Sequence, residues 1–333
     1  MKELMKAVVL TDNNLSVQNV EKPETAEPGH LIIKMNSAAI NSGDKFFLRF
    51  APLPWMVRSR HDIRGVSGVG EVTQTGEGVP TEYVGKNVAF YRQLSYSDSA
   101  AGTWSEFAHL PYLDCVILPG DVDPADYSGT VVNTITPFGF LKQATTEGHK
   151  AIISTAGNSA TGIALLGLCL TYNVPLISIV RSERGKTELE ALGAKNIVVQ
   201  ADPDFDKVLS ELANTLSATA IFDGTGGETL TRVFPLIPAN SVIYSYGYIG
   251  DGVPFAFHTS IMSVRNISIR SFSNLTTDTV KNPENLEKAL KDIGEIIHMP
   301  HFKTKIGKTF KPEEINEALA YKSDTGGKAV LVF

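Results

Sequence analysis

The stretch that most constrains the fold runs from Lys150 to Lys186 and reads K-A-I-I-S-T-A-G-N-S-A-T-G-I-A-L-L-G-L-C-L-T-Y-N-V-P-L-I-S-I-V-R-S-E-R-G-K. Ala151 to Ser154 is a short apolar run suited to a buried parallel strand, and a turn of small residues, Gly157 to Gly162, leads into an apolar helix over Ile163 to Tyr172. Pro175 to Val180 supplies a second buried strand. In such a βαβ unit the first turn can seat a dinucleotide pyrophosphate: small side chains let the backbone approach, and free N–H groups with the helix dipole attract the anion. Against G-x-G-x-x-G the segment offers Gly157 and Gly162, with Ser159 and Ala160 where glycine is usual and Thr161 before the last glycine. Ser159 can cap the helix or donate its hydroxyl to a phosphate. An ordinary small-residue turn that packs a helix on a strand fits the same letters.

The end of the second strand separates the two readings. The acid that would bind a ribose 2′-hydroxyl is missing, and Arg181, Ser182, Arg184 and Lys186 stand there with only Glu183 opposing them. A guanidinium can fork onto a phosphate, and a hydroxyl and an ammonium can complete the cradle. The expected cofactor is NADPH rather than NADH. A merely solvated helix start would leave these charges unexplained, because cations at a helix N-terminus oppose the dipole.

The chain of 333 residues is long enough for two domains, and its net charge of −6 argues against a general nucleic-acid binder. Cys115 and Cys169, the only cysteines, are far apart in apolar sequence and offer neither a disulfide framework nor a cysteine zinc site. The opening M-K-E-L-M-K-A-V-V-L is too short an apolar run for a signal peptide, and no segment has the ~18 apolar residues of a membrane span. A cytoplasmic protein without membrane partners is expected.

Taken in order, residues 1 to about 127 read as short strands and turns: Lys6 to Leu10, Leu15 to Val20, His30 to Ile40, a glycine-dense Gly65 to Thr75, Val84 to Tyr91 and Gly102 to Leu110. From Ala151 strands and helices alternate, with helices over Lys186 to Leu192, Phe205 to Leu216 and Glu228 to Leu236. Strands over Ile197 to Val199, Ala218 to Asp223, Ser241 to Tyr246 and Ile267 to Phe272 bring the count to six, a doubly wound parallel sheet. The tail, with helices over Pro283 to His298 and Pro312 to Tyr321 and strands over Lys305 to Phe310 and Lys328 to Phe333, has no place in that sheet. It is expected to rejoin the first domain.

Several segments, in this order, resemble the medium-chain dehydrogenase/reductase superfamily, in its zinc-free branch of quinone oxidoreductases and enoyl thioester reductases. They are M-K-A-V-V-L, S-A-A-I-N-S-G-D at Ser37 to Asp44, G-T-W-S-E-F-A at Gly102 to Ala108 and V-N-T-I-T-P-F at Val132 to Phe138. The N-S-A-T-G turn, R-S-E, A-L-G-A at Ala191 to Ala194 and the closing G-G-K-A-V-L follow. The resemblance implies an α/β chain: a GroES-like β-barrel catalytic domain in two parts, 1–127 and 273–333, around an inserted Rossmann domain, 128–272, with NADPH in the cleft between them. It also implies a homodimer formed through the last strand of the sheet, Asn266 to Phe272.

The zinc alcohol dehydrogenases of this superfamily carry a cysteine where this chain has Asn41 and a G-H-E motif where it has Gly65-Val66-Ser67, and the four-cysteine cluster of their structural zinc has no counterpart. An amide and a hydroxyl are poor zinc ligands, and the seven histidines, at 30, 61, 109, 149, 258, 298 and 301, are scattered. No zinc is expected. Without a Lewis acid a conjugated acceptor is easier to reduce than a simple ketone, because the charge spreads into an enolate or quinol. The expected reaction is therefore NADPH-dependent reduction of a quinone or an α,β-unsaturated carbonyl.

By resemblance Asn41 and Thr136 lie beside the nicotinamide and its ribose, Ser159 to Gly162 hold the pyrophosphate, Tyr246 and Gly247 border the cofactor, and Lys328 reaches a cofactor phosphate. Asn41 also fits a strand-end amide bonding the local turn, and Thr136 a helix N-cap before Pro137. The thioester reductases place a catalytic tyrosine near the position of Pro52, where the sequence F-L-R-F-A-P-L-P-W has none. That departure favours a reductase in which water or the cofactor ribose supplies the proton and leaves the donor open, with Tyr91, Tyr246 and Tyr248 as candidates by chemistry. The aromatic run Phe46, Phe47, Phe50 and Trp55 fits a pocket wall or a packed flap equally well. Two other functions stay in view, a 2-enoyl thioester reductase and a nucleotide-binding protein without turnover, crystallin-like or RNA-associating.

Overall fold

The computed structural model describes residues 2–12, 14–48, 59–95, 97–250 and 252–333. The chain divides into two compact units, Met1–Asn133 with Asn282–Phe333, and Thr134–Lys281. Pro52, Phe50 and Trp55 lie outside the described residues.

In the second unit the alternation of buried strands and helices closes as one parallel sheet of six. Its order across the sheet is Asn196–Val199, Leu176–Val180, Ala151–Ser154, Ala218–Asp223, Val242–Ser245 and Ser268–Ser271. The order reverses at Ala151–Ser154, the first strand in sequence, so the carboxyl ends of this strand and of Ala218–Asp223 flank the switch point where α/β sheets bind ligands. Helices cover the sheet by their apolar stripes: Phe205–Leu216 buries Phe205, Leu209 and Ala213, spaced by four. These side chains join Ile153, Ile179, Ile221 and Ile243 of the strands in one core.

The first unit is built on a seven-stranded sheet. His30–Ala39 is central, pairing antiparallel with Ser67–Thr75, Phe107–Pro111 and Lys328–Val332. Ile306–Phe310 adds parallel to Lys328–Val332, so the tail completes the first unit's sheet, as expected. The opening hairpin, Leu4–Thr11 with Asn14–Glu21, adds its own pair of strands. The core gathers Val8, Leu31, Ile33, Val88, Phe90, Trp104, Phe310 and Leu331. The result is a GroES-like barrel unit interrupted by a doubly wound Rossmann unit.

Three elements depart from the expectations. Thr136 and Pro137 stand inside a helix, Thr130–Thr146, so the N-cap alternative for Thr136 is incorrect. Proline has no N–H for the Asn133 carbonyl, yet the helix continues through it, because Val131, Ile135, Phe138, Phe140 and Ala144 are buried along its length. Ser42–Phe47 is a short helix, and so is Thr259–Val264, where the sequence carries only weak signals.

Candidate cofactor and active site

The turn Gly157 to Gly162 has the close backbone packing that its small residues suggest. Ala151–Ser154 ends below it, and Gly157 N–H donates to the Ile179 carbonyl of the neighbouring strand. A Cβ on Gly157 would meet Ser178 Cβ at 2.9 Å, and one on Gly162 would meet the Ala156 carbonyl oxygen at 2.2 Å. Ser159 caps the helix Ala160–Tyr172, accepting from Gly162 N–H and donating to the Ala156 carbonyl. Its hydroxyl therefore holds the turn.

The basic cluster follows the next strand. Ser182 is the N-cap residue of the helix Glu183–Ala191, and its hydroxyl makes no capping bond. Arg181, Ser182 and Arg184 are exposed, while Lys186 reaches Glu183 at 3.7 Å. Gly185 is buried, and a Cβ there would sit 3.1 Å from the Asn158 side-chain nitrogen. Hence the turn and the basic helix start are neighbours within one unit.

Two loops at the carboxyl ends of the fourth and fifth strands complete this edge, and sequence reasoning overlooked the residue that builds them. Asp223 is fully buried and its carboxylate accepts from Thr155 Oγ1 at 2.7 Å, Thr225 Oγ1 at 3.1 Å, and the N–H groups of Thr225 and Gly226 at 3.2 and 3.1 Å. The letters D-G-T-G-G after an apolar strand were the available signal. Tyr246 stacks on Phe222 with ring centroids 3.8 Å apart, and its hydroxyl bonds the Ser159 side chain. Burial pushes its pKa up, so the phenol stays protonated and braces the turn. Gly247 lies against Gly224, where a Cβ would reach the Gly224 carbonyl at 2.8 Å.

In the first unit, Asn41 and Lys328 come together. The antiparallel register that sets Val330 opposite Ala39 brings the Ile40 N–H to the Ala329 carbonyl and Lys328 beside Asn41. Lys328 Nζ donates to Asn41 Oδ1 at 2.6 Å. Asn41 Nδ2 donates to Ser67 Oγ at 2.8 Å and to Asp44 Oδ2 at 3.1 Å, with a longer approach of 3.4 Å to the Ala39 carbonyl. Asn41 also precedes the helix Ser42–Phe47, and Asp44 reaches back to its backbone N–H at 2.8 Å, as the third helical residue does in a capping box. Asn41 thus does serve the local turn, while its side chain joins a buried polar network. Thr136 is half-buried in its helix.

Burial dominates the ionisation of this network. It pushes Asp44 up to about 6 against the hydrogen bonds from Asn41 and the nearby charges of Lys328 and Arg92, and pushes Lys328 down to about 8. A carboxyl whose pKa is higher in the fold takes up its proton there first. Its stabilising contribution is present below the unfolded value of 3.8 and is lost as pH rises through about 6. Between pH 4 and 7 the wild type should therefore lose on the order of 2 kcal/mol relative to Asp44→Asn, as read by urea unfolding. Parallel pH profiles for the two proteins would contradict this.

No protein-family model matches the sequence. Solved structures match end to end at low identity. A quinone oxidoreductase of Pseudomonas syringae is 19% identical, with 100% of this chain and 99% of that chain covered and a TM-score of 0.73. This chain shares their fold. A mutant enoyl thioester reductase from Candida tropicalis is 18% identical, covering 99% and 100% with a TM-score of 0.77, and a mycobacterial protein solved with NADPH is 18% identical, covering 99% and 100% at 0.74. Among the described residues, no group of three or more His, Cys, Asp and Glu side chains is placed to hold a metal ion, and no helix is long and apolar enough to cross a membrane.

Proposed function

We propose that the protein is an NADPH-dependent, zinc-independent reductase of quinones or α,β-unsaturated carbonyls. The observation that carries this reading is the adjacency, through Asn158 and Gly185, of a glycine-tight turn and an exposed basic helix start at the ends of the first two Rossmann strands. The residues fit the cofactor: Arg181 is exposed and engaged in no ion pair among the described residues, and no acid occupies the end of the second strand. Arg181, Ser182, Arg184 and Lys186 would hold the 2′-phosphate. Gly157 and Ser159 to Gly162 would receive the pyrophosphate, with Tyr246 and Gly247 bordering it. Asn41 and Thr136 are assigned to the nicotinamide and its ribose. When bound, NADPH supplies the hydride.

The mycobacterial neighbour's complex with NADPH supports the cofactor, and the quinone oxidoreductase among the neighbours supports the acceptor class. Arg181→Ala should weaken NADPH binding about 10- to 100-fold and leave NADH binding unchanged, as followed by fluorescence titration. Equal affinities of the wild type for the two cofactors would refute the phosphate assignment. For the acceptor, NADPH oxidation should be fastest with a quinone or an alkenal. A faster reaction with a crotonyl thioester would instead favour the thioester reductase, to which another neighbour belongs.

A further inference from the structure

The amide of Asn41 has both of its hydrogens engaged. Lysine offers only donors, so the Asn41 side-chain oxygen must face Lys328 Nζ, 2.6 Å away. Nδ2 then lies on the opposite side, where one hydrogen goes to Ser67 Oγ and the other to Asp44 Oδ2. Asn41 is 6% exposed and has no N–H left for a bound molecule. Lys328 is the reverse case. Its ammonium carries three hydrogens, one of which goes to Asn41, and the residue as a whole is half-buried.

Lys328 is also held in place. It opens the strand Lys328–Val332, its N–H donates to the Lys305 carbonyl at 2.7 Å, and its stem passes Gly129, where a Cβ would stand 3.5 Å from Lys328 Cδ and 3.1 Å from Ala39 Cβ. The charges facing Nζ are Asp44 and Lys45 from the helix Ser42–Phe47, with Arg92 behind Asp44. By the resemblance, the zinc dehydrogenases carry a cysteine at the position of Asn41 and a G-H-E motif over the segment Gly65-Val66-Ser67 that holds Ser67. In this chain a fixed cation stands against the amide at the cysteine's position.

We propose that Lys328 Nζ is the group that receives the acceptor's oxygen as negative charge develops on it, while Asn41, Asp44 and Ser67 are positioning residues that aim the ammonium. The ligand chemistry is an oxyanion conjugated with a ring or an alkene, a phenolate or an enolate. A preorganised cation in a partly desolvated site stabilises such an oxygen more than water does. Burial lowers the Lys328 pKa to about 8, which keeps it charged at neutral pH. This inference rests on the reductase reading, since that reading places Asn41 beside the nicotinamide.

The test compares wild type, Lys328→Gln and Lys328→Arg in binding 4-nitrophenol, whose phenolate is distinguished from the phenol by absorbance. Lys328→Gln keeps a donor for Asn41 Oδ1 and removes the charge, so the network can stay assembled. Wild type should hold the phenolate about tenfold tighter than the phenol, lowering the apparent pKa of the bound molecule by about one unit. Lys328→Gln should abolish that preference, and Lys328→Arg should restore most of it. A wild type without preference for the anion, or a Lys328→Gln variant that keeps it, overturns the proposal. Quinone turnover separates the two readings: if wild type reduces quinones and Lys328→Gln does so at the same kcat, the ammonium site fails and the reductase stands. If the anion preference depends on Lys328 while no acceptor consumes NADPH, the reductase reading fails and the site stands.

Discussion

Gly162→Ala is expected to lower the melting temperature of the Rossmann unit by about 6–12 °C, corresponding to a loss of roughly 3 kcal/mol. The added methyl group would lie 2.2 Å from the Ala156 carbonyl oxygen and 2.5 Å from that of Gly157. Both are backbone atoms of the same turn, so relief requires moving the turn away from the helix. The shift would also separate Ser159 Oγ from Gly162 N–H, now 3.1 Å apart, and so weaken the cap. Differential scanning calorimetry with and without NADPH is the measurement. Retention of the wild-type melting temperature would show that the turn relaxes around the added methyl group without cost. Gly226→Ala is the informative comparison. Gly226 has φ +64° with nothing within 4 Å of its missing Cβ, so its cost is backbone strain alone, about 1–3 kcal/mol.

The contrast between these glycines marks how far the sequence could be read. The turn at Gly157 and Gly162 was legible because its chemistry is local: small residues between an apolar strand and an apolar helix. The Rossmann strands were legible for a related reason, since a parallel strand buried on both faces is a continuous apolar run bounded by turn residues. The helix Thr130–Thr146 was not, because its β-branched opening T-V-V-N-T-I-T and its Pro137 both argue against a helix, and burial on the long-range core overrides them. The polar network at Asn41 was hidden for another reason. Lys328 and Asn41 are 287 positions apart, and only the antiparallel pairing of Lys328–Val332 with His30–Ala39 joins them. Composition and motif spacing carry no information about that register.

Asp223 shows the same separation in energetic form, and its replacement is expected to be the most damaging of the changes considered. Its two oxygens gather donors from Thr155, Thr225 and Gly226, so the carboxylate ties the end of the first strand to the loop after the fourth. In Asp223→Ala the Thr155 hydroxyl and the N–H groups of Thr225 and Gly226 would lose this acceptor, while the Thr225 hydroxyl keeps Thr155 Oγ1 at 3.1 Å, at a cost of about 3–5 kcal/mol by denaturant unfolding. Asp223→Asn is the sharper experiment. It preserves shape, yet one of the two acceptors becomes an NH2 group that must face donors. With its oxygen at the Oδ1 position the amide keeps the donors of Thr155, Thr225 and Gly226, but its NH2 group then stands at the Oδ2 position, 3.2 Å from Gly226 N, donor against donor. Asp223→Asn should therefore lose about 1 kcal/mol and weaken NADPH binding as well, because the loop it holds borders the turn through Tyr246, whose N–H donates to the Asp223 carbonyl at 2.9 Å. If the asparagine variant unfolds at the wild-type denaturant midpoint, the negative charge is dispensable and shape alone holds the loop. If it unfolds early yet binds NADPH as wild type does, the loop contributes to stability and not to the cofactor site.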